Sequence, residues 1–296
     1  MAGGVVGATM WAVTTIMSIQ SSVAYGHVGN SAATFPLMRM GVEVWPVITV
    51  HFSNHTGYPH LRGPLLAAQD VAEVIQGIDE RGVLGRCDAV LSGYQGGADI
   101  GAVVLDAVQL VRTRNPAAIY LCDPVLGDVG RGFYVRPGIP ELMRDQVVPA
   151  AQIITPNQFE LEFLTGQQTS TMPQVLAAAD AARALGPDIV LVTSVVHTDA
   201  DPDLIDMVVV SGEGAWSVST PLLPRAFTGA GDLTAATFLA GYLRTGDVVA
   251  AVERTAAIVY GVLQVTVESG EAELQLVAAQ DEIAAPSRTF RAVRLR

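Results

Sequence analysis

Short runs of Val, Ile and Leu alternate along the chain with longer stretches whose apolar positions recur every three or four residues. The short runs predict strands over 13–20, 43–50, 87–92, 118–122, 151–155 and 188–194, followed by a hairpin at 206–211 and 215–219. Between them AAQDVAEVIQGIDERGVL (67–84), IGAVVLDAVQLVRTR (100–114) and TMPQVLAAADAARALG (171–186) predict helices, and 232–284 reads as nearly all helix. The strand runs are apolar at consecutive positions, so both of their faces must be covered. Strands alternating with helices therefore predict an α/β fold, a three-layer α/β/α sandwich around a mostly parallel central sheet. No linker rich in Pro, Ser or charge interrupts the pattern and no internal repeat is visible, so 13–296 reads as one domain behind an N-terminal extension at 1–12.

Composition narrows the partners. Half of the 296 residues are hydrophobic and the formal charge is −12, which excludes a nucleic-acid binder and otherwise indicates solubility. The N-terminal stretch MAGGVVGATMWAVTTIM has no basic leader and is too short in its apolar part to span a bilayer, so neither a signal peptide nor a membrane anchor is expected. Cys87 and Cys122 sit on apolar strand-like runs and read as buried thiols, consistent with a cytoplasmic protein. All 17 basic residues are Arg; the chain has no Lys.

Chemistry concentrates where the apolar runs stop. In open α/β sheets ligands bind beyond the carboxyl ends of the strands. Here those ends run into SIQSSVAYGHVGNSAATF, VHFSNHTGYPH, LSGYQGG, CDPVLGDVGRGFYV and TPNQFELEFLTG, each polar or glycine-rich. A sixth stretch, AFTGAGDLTAATFLAGYLRTG (226–246), places Thr228-Gly229-Ala230-Gly231 before Asp232 at the mouth of an apolar helix. Small residues at a helix start let bare backbone N–H groups converge on an anion, and an adjacent carboxylate can accept a proton. An anion hole beside a base suggests phosphoryl transfer.

Competing nucleotide motifs are absent. A lysine-free chain cannot build G-x-x-x-x-G-K-[ST], and no G-x-G-x-x-G follows the first strand. His51, His55 and His60 are separated by loop residues with no Cys or carboxylate beside them in sequence, so a zinc site is not expected.

SIQSSVAYGHVGNSAATFP, FSNHTGY, DAVLSGY, CDPVLGD, TPNQFELEFLTG and GAGDLTAA, in this order and spacing, resemble the pyridoxal-specific bacterial pyridoxal kinases of the ribokinase-like superfamily, from Ser18 to the C-terminus. The resemblance implies ATP-dependent phosphorylation of the 5′-hydroxymethyl group of pyridoxal. It makes Asp232 the base, with Gly229, Ala230 and Gly231 as the anion hole, and puts Ser21, Thr56, Tyr94 and Phe52 around the pyridine ring. On the nucleotide side it implies Asp123, Asp128 and Glu160 near ATP-bound Mg²⁺, Thr155, Thr193 and Ser194 near the phosphates, and Thr220, Pro221, Leu222 and Leu223 beside the adenine. The stretch LGDVGRGFYV resembles the flap over ATP, with Tyr134 reaching inward. A homodimer is also implied, and a monovalent cation such as K⁺ stays open.

The chain departs from the family at Thr193, where some members carry Lys, and at Ala230, often Thr or Val. Both departures leave backbone donors intact. Two other readings stand beside this one: a hydroxymethylpyrimidine kinase of the same fold, which FSNHTGY and SIQSS disfavour, and a non-catalytic pyridoxal phosphate binder, which has no need of Asp232.

Overall fold

The computed structural model describes residues 13–296; the extension at 1–12 lies outside the described residues. Its centre is a nine-stranded sheet containing β1 (Thr15–Val23), β2 (Glu43–Phe52), β3 (Ala89–Ser92), β4 (Ile119–Cys122), β7 (Ile153–Ile154), β8 (Ile189–Val195), β9 (Leu204–Ser211), β10 (Gly214–Pro221) and β11 (Val293–Arg294). The order is β11-β10-β9-β8-β7-β4-β3-β1-β2. The six strands from β2 to β8 run parallel, and β9, β10 and β11 add antiparallel to that edge. A separate two-stranded hairpin, β5 (Gly127–Asp128) with β6 (Gly132–Phe133), projects after β4.

The consecutive apolar positions of the strands divide between two cores. Met17, Val90, Cys122, Ile154 and Val190 pack on one face, whereas Ile16, Leu91, Leu121, Ile153 and Leu191 pack on the other. Alternate residues thus feed opposite helical layers, as the pleat requires. One layer holds α2 (Ala68–Glu80), α3 (Ala98–Arg114), the short turns α4 (Ile139–Leu142) and α5 (Val148–Ala150), α6 (Gln158–Thr165) and α7 (Met172–Ala184). The other holds α1 (Asn30–Arg39), α8 (Ala230–Thr245) and α9 (Val248–Ser269), with α10 (Gln280–Ala284) against α9. The mostly parallel three-layer sandwich is as expected.

Three elements differ from the sequence pattern. First, α1 lies in what reads as a loop tail, because its start is Gly29 at φ 52° and Pro36 sits inside it. Second, α6 likewise begins within a strand tail, started by an Asn157–Glu160 capping box. Third, the helical reading of 232–284 breaks twice. Gly246 and Gly270 each take the left-handed conformation that ends a helix, and 270–279 is a loop. Among the described residues α9 is the one helix long and apolar enough to cross a membrane, and most of that stretch is buried in the second core.

Candidate active site

One cavity opens at the carboxyl ends of the parallel strands, and the strand ends deviate from regular pairing where they meet it. The β1–β2 register shifts between Gln20 and Ser22, so Ser21 is bulged into the cavity while remaining only 5% exposed. The β8–β9 register shifts between Val192 and Val195; Thr193 instead bridges Asn157, its N–H donating to Pro156 O at 2.9 Å. Ser194 then adopts φ 54°, the one non-glycine positive φ among the described residues, and both Thr193 and Ser194 line the cavity. A residue with a β-carbon held there stores strain of a kind that clusters at functional sites.

The cavity brings together Ser21, Phe52, Thr56 and Tyr94 on one side. Asp123, Asp128, Tyr134, Thr155, Glu160, Thr193 and Ser194 line the other, and Gly229, Ala230, Gly231 and Asp232 lie along the same wall system. Tyr134 does reach inward from the β5–β6 hairpin, with Arg131 over its ring at 5.5 Å. Thr220, Pro221, Leu222 and Leu223 do not line it. Thr220 is buried at the end of β10, which belongs to the antiparallel edge, and Leu222 is exposed with its N–H on Asp203 O at 2.7 Å. Ala226 and Phe227 supply the apolar lining before the glycine loop instead.

Gly229 caps α8 at φ 88°, where a β-carbon would collide with the His27 carbonyl oxygen. No side chain caps this helix, so first-turn N–H groups are free to face an anion. Burial raises the Asp232 pKa to about 6, against the weaker lowering effect of the backbone N–H groups of Gly29 and of Asp232 itself. Gly29 has no room for a side chain either, because a β-carbon there would overlap both the carbonyl oxygen and Oγ of Ser21. One glycine therefore joins the bulged Ser21 to Asp232.

Asp123 follows β4, is buried, and accepts from Thr155 Oγ1 at 2.9 Å. Burial and then the charge of Asp232 push its pKa to about 8, against the weaker opposing effect of the Thr155 hydroxyl. Burial also raises Glu160, with Asp123 adding to the rise. The Tyr134 phenol is raised by burial and by the surrounding carboxylates. Four acids thus line one cavity with Arg131 as its only Arg, an arrangement that a divalent cation would relieve.

Asp123, Asp128 and Glu160, expected near Mg²⁺, line the same cavity without forming a cluster of three direct ligands. Among the described residues no three His, Cys, Asp or Glu side chains converge as ligands. The reason lies in Glu160: one oxygen accepts from the N–H groups of Leu126 (2.9 Å) and Gly127 (3.4 Å), the other from Asn157 N–H at 2.9 Å. Both oxygens are spent on backbone, holding the 125–127 loop to the start of α6. Asp128 Oδ1 accepts from Val129 N–H at 2.8 Å. Asp123 is the acid that retains an oxygen toward the glycine loop; a β-carbon on Gly231 would stand 4.0 Å from its Oδ2.

One of the histidines has a neighbour that the local sequence does not show. A carboxylate does stand beside His55, but it is Glu273, from the loop that reads as helix. His55 Nε2 lies 2.9 Å from Glu273 Oε1, which also accepts from Tyr58 Oη at 2.7 Å. Gly57 and Asn157 also line the cavity without a role assigned from sequence, although FSNHTGY and TPNQ contain them, and His55, weighed there only as a metal ligand, lines it too. Glu273 has no local signal at all. The thiols of Cys87 and Cys122 are both free and buried, as expected.

Comparison with known proteins matches this geometry. The family described as phosphomethylpyrimidine kinase matches residues 65–276. A pyridoxal kinase of Rubrobacter xylanophilus is 58% identical over 276 residues, covering 93% of this chain and 95% of its own. One from Leifsonia xyli is 56% identical, covering 93% and 97%. Among solved structures, pyridoxal kinase from Leishmania donovani in complex with ADP and pyridoxamine superposes with a TM-score of 0.89 at 27% identity, covering 96% of this chain and all of that one. The relatives at more than half identity are named for pyridoxal rather than for a pyrimidine. With its bulged Ser21, its uncapped α8 and Asp232 in that helix's first turn, the chain belongs to the pyridoxal kinases of the ribokinase-like superfamily.

Proposed function

We propose that the protein transfers the γ-phosphoryl group of ATP to the 5′-hydroxymethyl oxygen of pyridoxal, giving pyridoxal 5′-phosphate and ADP. The observation that carries this reading is the position of Asp232 beside the uncapped first turn of α8, in the same cavity as Ser21, Thr56 and Tyr94. Phosphoryl transfer asks for alignment, charge neutralisation and a proton acceptor rather than covalent chemistry by the protein. Asp232 accepts the hydroxyl proton as the oxygen attacks phosphorus. A pKa of about 6 leaves it ionised at neutral pH yet more basic than an exposed carboxylate. The backbone N–H groups of Ala230 and Gly231 stabilise the transferring phosphoryl.

Hydroxyls of Ser21, Thr56 and Tyr94 orient the ring, with Phe52 packed at its side. Thr155, Thr193 and Ser194 contact the nucleotide phosphates under the β5–β6 hairpin. Asp123 would hold Mg²⁺, with Asp128 and Glu160 placed to act through water, as suits an ion that keeps several waters beside one or two carboxylates. The ion would supply charge neutralisation for the transferring phosphoryl group. The adenine extends out of the enclosed volume toward the exposed Leu222. The reading includes one domain over 13–296, from the uninterrupted strand–helix pattern, a cytoplasmic location, from the buried free thiols, and a homodimer, from the family resemblance.

The test is ATP turnover that depends on pyridoxal, run beside hydroxymethylpyrimidine. Product at the pyridoxal rate or above with hydroxymethylpyrimidine reverses the substrate assignment, and binding of pyridoxal phosphate without turnover makes the protein a carrier.

A further inference from the structure

Loop 270–279 follows α9 and has no regular structure, yet it contacts the 26–29 turn, the 55–58 segment and Gly229. Glu273 is its centre, only 7% exposed. Its Oε2 accepts from the backbone N–H of His27 at 3.1 Å. Its Oε1 faces His55 Nε2 at 2.9 Å and accepts from the Tyr58 hydroxyl at 2.7 Å. His55 Nδ1 in turn accepts from Gly57 N–H at 3.1 Å, so the ring proton sits on Nε2 and is donated to Glu273. Every oxygen and nitrogen of the Glu273–His55 pair therefore has a defined partner. Thr56 and Gly57, between the two clamped residues, line the cavity.

The same loop is tied to the phosphate side. Arg225 donates to the carbonyls of Glu271 and Thr266 while its guanidinium lies 4.9 Å from the Phe227 ring centre. Leu274 packs at Gly229, where its Cδ1 would stand 3.2 Å from an added β-carbon. Burial alone would raise the Glu273 pKa, but the Tyr58 hydroxyl, His55 and the His27 N–H hold it below the usual carboxylate range. The carboxylate is thus kept charged as an acceptor of three donors, the arrangement in which a charge-assisted hydrogen bond is strongest.

We propose that Glu273 is a positioning residue for the pyridine half of the cavity, clamping segment 55–58 and the 26–29 turn onto the loop that also abuts Gly229. It touches no reacting atom. It acts through His55 and Tyr58 on Thr56, and through His27 on the turn that carries Gly29 and so Asp232. The inference rests on the proposed pyridoxal reaction.

The test is steady-state kinetics of the full chain with ATP and pyridoxal. Wild-type turnover comes first: its absence removes the proposed reaction and leaves the clamp to be read from folding alone, by loss of thermal stability in Glu273→Ala. With wild type active, Glu273→Ala is expected to raise KM for pyridoxal tenfold or more, with KM for ATP changed less than twofold. Glu273→Gln, which keeps an acceptor for Tyr58, is expected to recover part of that loss. Tyr58→Phe is expected to raise KM for pyridoxal in the wild-type background and to add nothing in the Glu273→Ala background. An unchanged KM for pyridoxal, or an equal rise in both KM values, overturns the positioning role.

Discussion

Asp232 and Asp123 are acids that the fold makes reluctant to ionise, and this reluctance can be measured. With Asp232 at about 6, kcat/KM for pyridoxal is expected to fall about tenfold per pH unit below that value, as the base becomes protonated. Asp232→Asn is expected to lower kcat by about 10²–10⁴ while ATP and pyridoxal bind within a few-fold. If kcat survives within tenfold, the carboxylate is only complementing the helix N-terminus. The same shifts have a stability consequence with a definite sign. Both pKa values lie above those of an unfolded chain, so the ligand-free protein is most stable when both acids are protonated. That advantage is lost as pH rises through about 6 for Asp232 and about 8 for Asp123. Melting of ligand-free protein is expected to move to lower temperature between pH 5 and pH 8.5, and Mg²⁺ with ATP to restore it. A flat or rising profile would mean that burial does not disfavour the ionised forms of the two acids in the folded state.

At the level of elements, α6 and the loop after β4 are one device. Glu160 closes the capping box of α6 and also receives the N–H groups of Leu126 and Gly127. Glu160→Gln puts an amide donor against a backbone donor, which costs about 1–3 kcal/mol. Thermal melting should register that loss, and the Mg²⁺ concentration for half-maximal rate should rise as well. Lost stability with unchanged Mg²⁺ dependence would leave Glu160 wholly structural. Sequence alone foresees much of this scaffold: the parallel strands end where their apolar runs end, and Gly, Pro and Asp mark the tails that form the cavity. It misses α1, whose Pro36 and small residues hide the helical period, and β11, two exposed residues paired to β10. Glu273 is missed for a different reason. Its partner His55 is 218 residues away, and the apolar spacing around 270–279 continues that of α9 although Gly270 has already ended the helix. A local period cannot report a contact made only when the sheet edge and the last loop meet.

Taken whole, the molecule handles an aldehyde without a single lysine. Pyridoxal and its phosphate condense readily with amines, and enzymes that retain pyridoxal phosphate anchor it as a lysine imine. All 17 basic side chains here are Arg, whose guanidinium stays protonated, so no side-chain amine stands anywhere in the described fold. The thiols offer no substitute, since burial pushes Cys87 to about 11 and Cys122 to about 12. On the proposed reaction, product would be held by reversible contacts alone, the ring against Phe52 and Tyr94 and the phosphate at the first turn of α8, all of which line the one cavity. Borohydride reduction of protein saturated with pyridoxal phosphate, followed by peptide mass spectrometry, is expected to yield no pyridoxyl adduct within 13–296. An adduct on any internal residue would show a nucleophile that composition hides, and product release would then require breaking a covalent bond rather than opening the hairpin over Tyr134.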